Sequence, residues 1–270
     1  MHVKRILSAV VAIPLLWLFI LKGGPVFFTL LMMAVAVIAL TEYYPLVDET
    51  VDRLGPLPLL GYASAIMMVG LAHVISNPWG VLLGVVFLNI PLGGFLLLPR
   101  FETEPKVLRH LFTHVFGLLY IPMALASVVR LRIVPDHGIL WIFTLLVTVA
   151  ACDTGAFYAG TFLGKRKLCP SVSPGKTVEG FLGGMAAALV AGFVMKGFFV
   201  PELSWLFCLL LFPLVGVFGP LGDLFESSMK RASGIKDSGH LIPGHGGLLD
   251  RIDAFLFVAP LFYFFMIVSA

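Results

Sequence analysis

The chain has 270 residues, 59% of them hydrophobic and only 12% charged, with a net charge of +3. Its mean hydropathy is +1.02. Soluble domains carry about 25% charged and about 45–50% apolar residues, and a soluble core does not account for uninterrupted apolar runs of this kind. The composition therefore excludes an ordinary soluble enzyme and sets the class as a polytopic membrane protein.

A hydrocarbon core about 30 Å thick needs roughly 17–25 apolar residues per helix. Apolar runs between turn signals predict nine helices and an all-α fold: residues 6–21, 25–46, 57–76, 79–98, 109–130, 139–162, 177–199, 203–229 and 251–270. The intervening breaks, KGGP, SNP and PRFETEP among them, carry the glycines and prolines that stop helices. The first run has the basic start of a signal peptide, but no small-x-small cleavage site follows it and further spans come at once, so it reads as a retained helix. Helices one to four make an N-terminal part, residues 1–98; helices five to nine make a C-terminal part, residues 99–270, which holds the polar regions.

Positive charge tests this layout, because cytoplasmic segments carry the excess of Lys and Arg. With the N-terminus cytoplasmic, only Lys22, Arg130, Arg132 and Lys196 fall on outer segments; the remaining 14 of the 18 Lys and Arg (18 − 4) fall on inner ones. The odd helix count then puts the C-terminus outside. The first 150 residues have few polar groups inside helices, and the two strongly polar regions, 153–179 and 223–253, both lie on the inner side. Cys152, Cys169 and Cys208 show no metal or disulfide spacing and read as small hydrophobes.

The first polar region is DTGAFYAGTFLGKRKLCPSVSPGKTVEG, residues 153–180. Asp153 stands late in the sixth helix, among small residues that allow close backbone approach. Ser173 and Pro174 suit the N-cap and first position of the next helix, with Lys176 in its first turn. A helix start carrying a lysine favours anions. Lys165, Arg166 and Lys167 either hold the inside orientation or touch anionic lipid heads. The GKT here is no P-loop: Pro170 stands where that motif needs glycine, and no strand precedes it.

Near the end of the eighth helix, Asp223, Glu226, Ser227, Lys230 and Arg231 are spaced at helical intervals and share one face. That face must look into the bundle or a water-filled cavity, since a charge in lipid costs about 2.5–3.5 kcal/mol even on the lenient scale. Lys230 and Arg231 alone would fit a helix emerging into water. Asp223, two turns deeper, reads as functional.

The last polar stretch is KDSGHLIPGHGGLLDRID, residues 236–253. Gly244, Gly246 and Gly247 surround His245, a setting in which backbone N–H groups can form an anion-binding nest. Asp250 and Asp253 are three apart, hence on one face at the start of the ninth helix, with Arg251 between them. A dipole effect covers Asp253, but not a deep carboxylate on the preceding helix with several cations close by. Acids and bases from two helices point to a divalent metal with phosphates. An ion pathway would ask for polar groups on both sides of the midplane, and here they cluster inside.

These residues resemble a known signature. Ser228-Met229-Lys230-Arg231, then Lys236-Asp237, Gly239, Ile242-Pro243, His245-Gly246-Gly247-Leu248 and Asp250-Arg251-Ile252-Asp253, is similar to the pattern of the phosphatidate cytidylyltransferases, or CDP-diacylglycerol synthases. SPGKTVEG is similar to that family's SPKKTxEG block, with Gly175 departing at one position, and DTGAFYAG matches its D-[TS]-x-A-[FY]-x-x-G element.

The resemblance implies transfer of the cytidylyl group of CTP to phosphatidic acid, giving CDP-diacylglycerol and pyrophosphate for phospholipid biosynthesis. It implies Mg²⁺, with a second metal ion a further option, and a site on the cytoplasmic side of the cell inner membrane. Asp223 and Asp250 are then the main expected metal ligands, with Asp253 and Asp153 further candidates. Lys176, Lys230, Arg231 and Lys236 are the catalytic cations expected on the triphosphate or the phosphatidate head. Ser173, Ser228, His245, Gly246, Gly247 and Arg251 are expected to bind substrate. The partners are CTP, phosphatidic acid and membrane lipids, with no nucleic acid, and a homodimer paired through apolar helices is expected. A CTP-dependent polyprenol kinase and an archaeal-type CDP-lipid synthase stay open as alternatives; the CDP-alcohol phosphotransferase pattern is absent.

Overall fold

The computed structural model describes residues 21–102, 104, 107–199, 203–235, 238–239 and 246–269. Nine α-helices follow one another among them: α1 (Gly24–Val47), α2 (Pro56–Val74), α3 (Trp79–Leu97, extended by a 3-10 turn over Leu98–Arg100), α4 (Val107–Tyr120), α5 (Pro122–Arg132), α6 (Gly138–Leu163), α7 (Val178–Phe198), α8 (Trp205–Ala232) and α9 (Leu249–Ser269). A short hairpin, β1 (Lys167–Cys169) and β2 (Ser173–Thr177), precedes α7. In lipid every backbone polar group must be satisfied internally, which is why the spans are helices.

Eight spans among the described residues are long and apolar enough to cross a membrane, with α4 and α5 together forming one of them. They coincide with the second to ninth predicted helices. The first, residues 6–21, lies outside the described residues but for its last position. Phe112 (71%), Phe162 (77%) and Phe198 (80%) are mostly exposed. Aromatic surface on that scale asks for a lipid cover rather than water. The protein is an all-α, polytopic integral membrane protein.

The predicted fifth helix is interrupted at Ile121, because Pro122 has no N–H to donate. The ladder resumes at once: Ile121 N–H donates to Gly117 O at 3.0 Å, and Leu125 N–H to Ile121 O at 3.0 Å.

Backbone packing divides the chain into two compact units, one of Met1–Arg130 with Ala232–Arg251, the other of Leu131–Arg231 with Ile252–Ala270. In the first unit Leu40, Tyr43, Tyr44, Met68 and Leu118 are buried. Polar side chains also run through this core, contrary to the expectation of few polar groups in the early helices. The Tyr44 hydroxyl hydrogen-bonds His114 Nδ1 at 2.9 Å, His114 Nε2 meets Asn89 Oδ1 at 2.9 Å, and Asn89 Nδ2 donates to Ser64 Oγ at 3.0 Å. In a membrane such groups find each other across helices because lipid offers no partner. Arg130 closes α2, donating to the carbonyls of Ile75 (3.0 Å) and Ser76 (2.8 Å).

In the second unit α6 and α7 meet through small residues. A Cβ on Gly155 would strike Ala187, and one on Gly183 would strike Ala159. Such positions let two backbones approach within van der Waals contact. This close pairing sets the height of Asp153 relative to the hairpin leading into α7.

The hairpin corrects one expectation. Ser173 and Pro174 do not cap and open a helix: Ser173–Thr177 pairs antiparallel with Lys167–Cys169, Lys167 opposite Thr177 and Cys169 opposite Ser173. The helix begins at Val178, with Thr177 as N-cap, its Oγ1 accepting the Gly180 N–H at 3.1 Å. Glu179 explains the shift. Its carboxylate accepts the N–H groups of Lys165 (2.9 Å) and Arg166 (3.1 Å), drawing the preceding chain back alongside the helix start. Proline at the second strand position fits a two-stranded edge, where no donor is needed.

Candidate active site

In the second unit α6, the hairpin, the start of α7 and α8 converge on a cavity of about 590 Å³. α6 contributes Asp153 and Phe157, the hairpin contributes Ser173 and Lys176, and α8 contributes Asp223. Because β2 rather than a helix start carries Lys176, its side chain reaches across to α8. Lys176 Nζ lies 2.8 Å from Asp223 Oδ2 and donates to the Pro220 carbonyl at 3.2 Å. Asp223 Oδ1 accepts the Ser227 hydroxyl at 3.2 Å. The side chains are 22% and 46% exposed, so the pair is open to a ligand from the cavity.

Gly222, next to Asp223, lets α9 close in, since a Cβ there would sit 2.5 Å from the Asp253 carbonyl. Asp223 is thereby within electrostatic reach of both Asp153 and Asp253, as Lys176 is of Asp153 and Lys230 of Asp253. Asp253 Oδ1 accepts the Ala254 N–H at 2.7 Å. Lys230 pairs with Glu226 at 2.7 Å, and Glu226 is buried. Arg231 Nε donates to the Val172 carbonyl at 3.2 Å, tying the end of α8 to the hairpin turn. Ser228 donates to the Phe225 carbonyl of its own helix at 2.6 Å.

Asp250 belongs to the first unit. Its Oδ2 accepts the N–H groups of Gly247 (2.8 Å) and Ser238 (3.1 Å). Gly246 has φ +81°, the left-handed conformation that glycine alone adopts without strain. The N–H groups of Leu248 and Leu249 go to the Glu42 carboxylate at 3.0 and 2.8 Å. The predicted nest is thus filled from Gly247 onward by the chain's own carboxylates. Arg251 N–H donates to Leu248 O at 2.9 Å in the first turn of α9. Lys236 and His245 lie outside the described residues.

Sequence reasoning overlooked Glu42 and Glu179. A lone carboxylate in a 24-residue apolar helix was the available signal for Glu42, since ionisable groups within a span mark function by default. Glu179 falls inside the SPGKTVEG block and carried no comparable cue.

The donor set fits a hard cation. Among the described residues no three His, Cys, Asp or Glu side chains converge on one metal position. Mg²⁺ does not need three: it is bound by one or two carboxylates plus substrate phosphate oxygens and waters. Asp223 and Asp153, lining one cavity beside a lysine, offer that chemistry.

A polytopic helical membrane protein with carboxylates and a lysine at the mouth of one cavity has the equipment of a membrane-embedded, phosphate-handling enzyme. The chain belongs to the cytidylyltransferase family, whose model matches residues 3–269. It is 35% identical to the phosphatidate cytidylyltransferase of Bacillus subtilis (strain 168) across 97% of either chain. It is 32% identical to the protein of that name from Staphylococcus haemolyticus (strain JCSC1435), over 95% of this chain and 96% of the relative. The Staphylococcus aureus (strain COL) protein of that name is 31% identical, over 98% and 99%.

Proposed function

We propose that this protein transfers the cytidylyl group of CTP to phosphatidic acid, giving CDP-diacylglycerol and pyrophosphate. One observation carries the reading: Lys176, Asp223 and Asp153 face a single cavity in a chain related over nearly its full length to phosphatidate cytidylyltransferases. An oxygen of the phosphatidate monoester bonds to the α-phosphorus of CTP. The bond from that phosphorus to its β-bridging oxygen breaks, and the electron pair leaves with pyrophosphate. The attacking phosphate has a second pKa of about 6 and is already ionised near pH 7, so no strong general base is needed.

The obstacle is bringing two anions together, which positioning and fixed cations overcome. Asp223 and Asp250 are the proposed main Mg²⁺ ligands, with Asp153 and Asp253 as further carboxylates. When bound, the metal would neutralise phosphate charge and polarise the reacting phosphoryl group. Lys176, Lys230, Arg231 and Lys236 are assigned to the triphosphate and the phosphatidate head. Ser173, Ser228, His245, Gly246, Gly247 and Arg251 are assigned to substrate binding. A span over residues 6–21 would complete nine, with the N-terminus and active site on the cytoplasmic side of the inner membrane and the C-terminus outside. A homodimer is the proposed assembly.

Purified full-length protein supplied with CTP, phosphatidic acid and Mg²⁺ should release pyrophosphate, and each of the three should be required. Pyrophosphate release that does not depend on phosphatidic acid, or none at all, would contradict the reading.

A further inference from the structure

Glu42 stands in α1 with its side chain buried. An ionised carboxylate is tolerated in such a place only when donors surround it, and its donors come from a segment about 200 residues further along the chain. Oε1 accepts the Leu248 N–H at 3.0 Å and Oε2 the Leu249 N–H at 2.8 Å; the Ser238 hydroxyl donates to Oε2 at 3.4 Å. The amides of Leu248 and Leu249 open α9 and have no partner within that helix, and a helix start favours a negative charge.

Two glycines make the approach possible. A Cβ on Gly239 would sit 2.6 Å from Glu42 Oε1, and one on Gly247 would sit 2.6 Å from Oε2. The same short segment holds Asp250, whose Oδ2 takes the N–H groups of Gly247 and Ser238. Glu42 fixes the backbone of residues 247–249, and that backbone fixes the Asp250 carboxylate.

We propose that Glu42 is a positioning residue that clamps residues 238–239 and 247–249 so that Asp250 is held in its working orientation. The proposal rests on the reading of this loop as part of the active site. The role assigned to Glu42 is exerted through the Ser238, Leu248 and Leu249 donors it holds. It accounts for glycine at 239 and, together with the Ser238 hydroxyl and the Gly239 backbone, for glycine at 247, which a metal or phosphate role for Asp250 leaves unexplained.

The test uses full-length protein in lipid-supplemented detergent, comparing wild type with Glu42→Gln, Glu42→Asp and Glu42→Ala. Backbone hydrogen exchange is followed on peptides covering 246–253, without CTP or metal. Glu42→Gln and Glu42→Ala should speed exchange of that segment at least about tenfold while α2 and α3 keep wild-type protection, as a lost carboxylate clamp requires. In turnover the same variants should lose about 10–100-fold in kcat, as supporting-residue changes commonly do, and need more Mg²⁺ for half-maximal rate. Glu42→Asp should recover part of both. Unchanged exchange at 246–253 in Glu42→Gln and Glu42→Ala would overturn the proposal. So would equal loss of protection across α2 and α3 in Glu42→Gln, which would make Glu42 a general support of the fold. A wild-type protein without CTP-dependent turnover would instead sink the proposed reaction, leaving the exchange result to decide the clamp.

Discussion

Lys176 on β2 and Asp223 on α8 are joined by a 2.8 Å ion pair at the edge of the cavity. The pair needs the hairpin. With Lys176 in the first turn of a helix, the contact with Pro220 and Asp223 would have to be made from a different backbone altogether. Because both side chains are partly exposed, the pair contributes only about 0–1 kcal/mol to stability, so its residues can be tested without unfolding the protein. Asp223→Asn and Lys176→Ala should each lower turnover by about 10²–10³-fold, the usual cost of losing a preorganised electrostatic group. Thermal unfolding in detergent should be nearly unchanged.

The neighbouring pair, Lys230 with Glu226, should differ in its effect on stability, whatever its variants do to turnover. Glu226 is 1% exposed and Lys230 13%, and breaking a buried pair by removing one partner costs about 3–5 kcal/mol. Glu226→Ala should therefore destabilise markedly. A double variant, Glu226→Leu with Lys230→Met, should regain much of the loss, read as a recovery of unfolding temperature.

Gly183 sets the spacing between α6 and α7. Its missing side chain leaves room for Ala159, and no rotamer could avoid that contact because it begins at Cβ. Gly183→Val should force the helices apart, at about 1–3 kcal/mol for overpacking, and displace Asp153 from the cavity. Turnover should fall more steeply than the loss of stability explains, measured as residual kcat at a temperature where the variant remains folded.

Glu179 pins the hairpin through the N–H groups of Lys165 and Arg166. Glu179→Ala removes both acceptors and should expose the Lys165-Arg166-Lys167 bonds. Limited trypsin digestion should then cut within residues 165–167 several times faster than in the wild type, with the transmembrane fragments otherwise intact.

How far the residues alone lead differs between parts of the molecule. The membrane spans were legible because lipid admits few solutions, and length with hydropathy suffices to place them. That Asp223 would face a cavity rather than lipid was legible for a related reason: a carboxylate two turns inside an apolar helix is costly in hydrocarbon. The hairpin was not. Ser173-Pro174 satisfies the local rules for a helix start, and what overrules them is Glu179 reaching back over 13 residues to Arg166. The loop before α9 looked like an open nest, yet its described amides from Gly247 on are taken up by Asp250 and by Glu42. Local glycine content carried no trace of a partner on α1.

In the proposed reaction the α-phosphorus of CTP, and not the γ-phosphoryl group, passes to a lipid phosphate. Turnover with CTP radiolabelled separately at the α- and γ-positions tests this directly, with lipid and aqueous phases separated afterwards. Cytidylyl transfer puts the α-label in the lipid phase with phosphatidic acid as acceptor, and the γ-label in aqueous pyrophosphate. γ-Label in the lipid would mark a CTP-dependent kinase and contradict it.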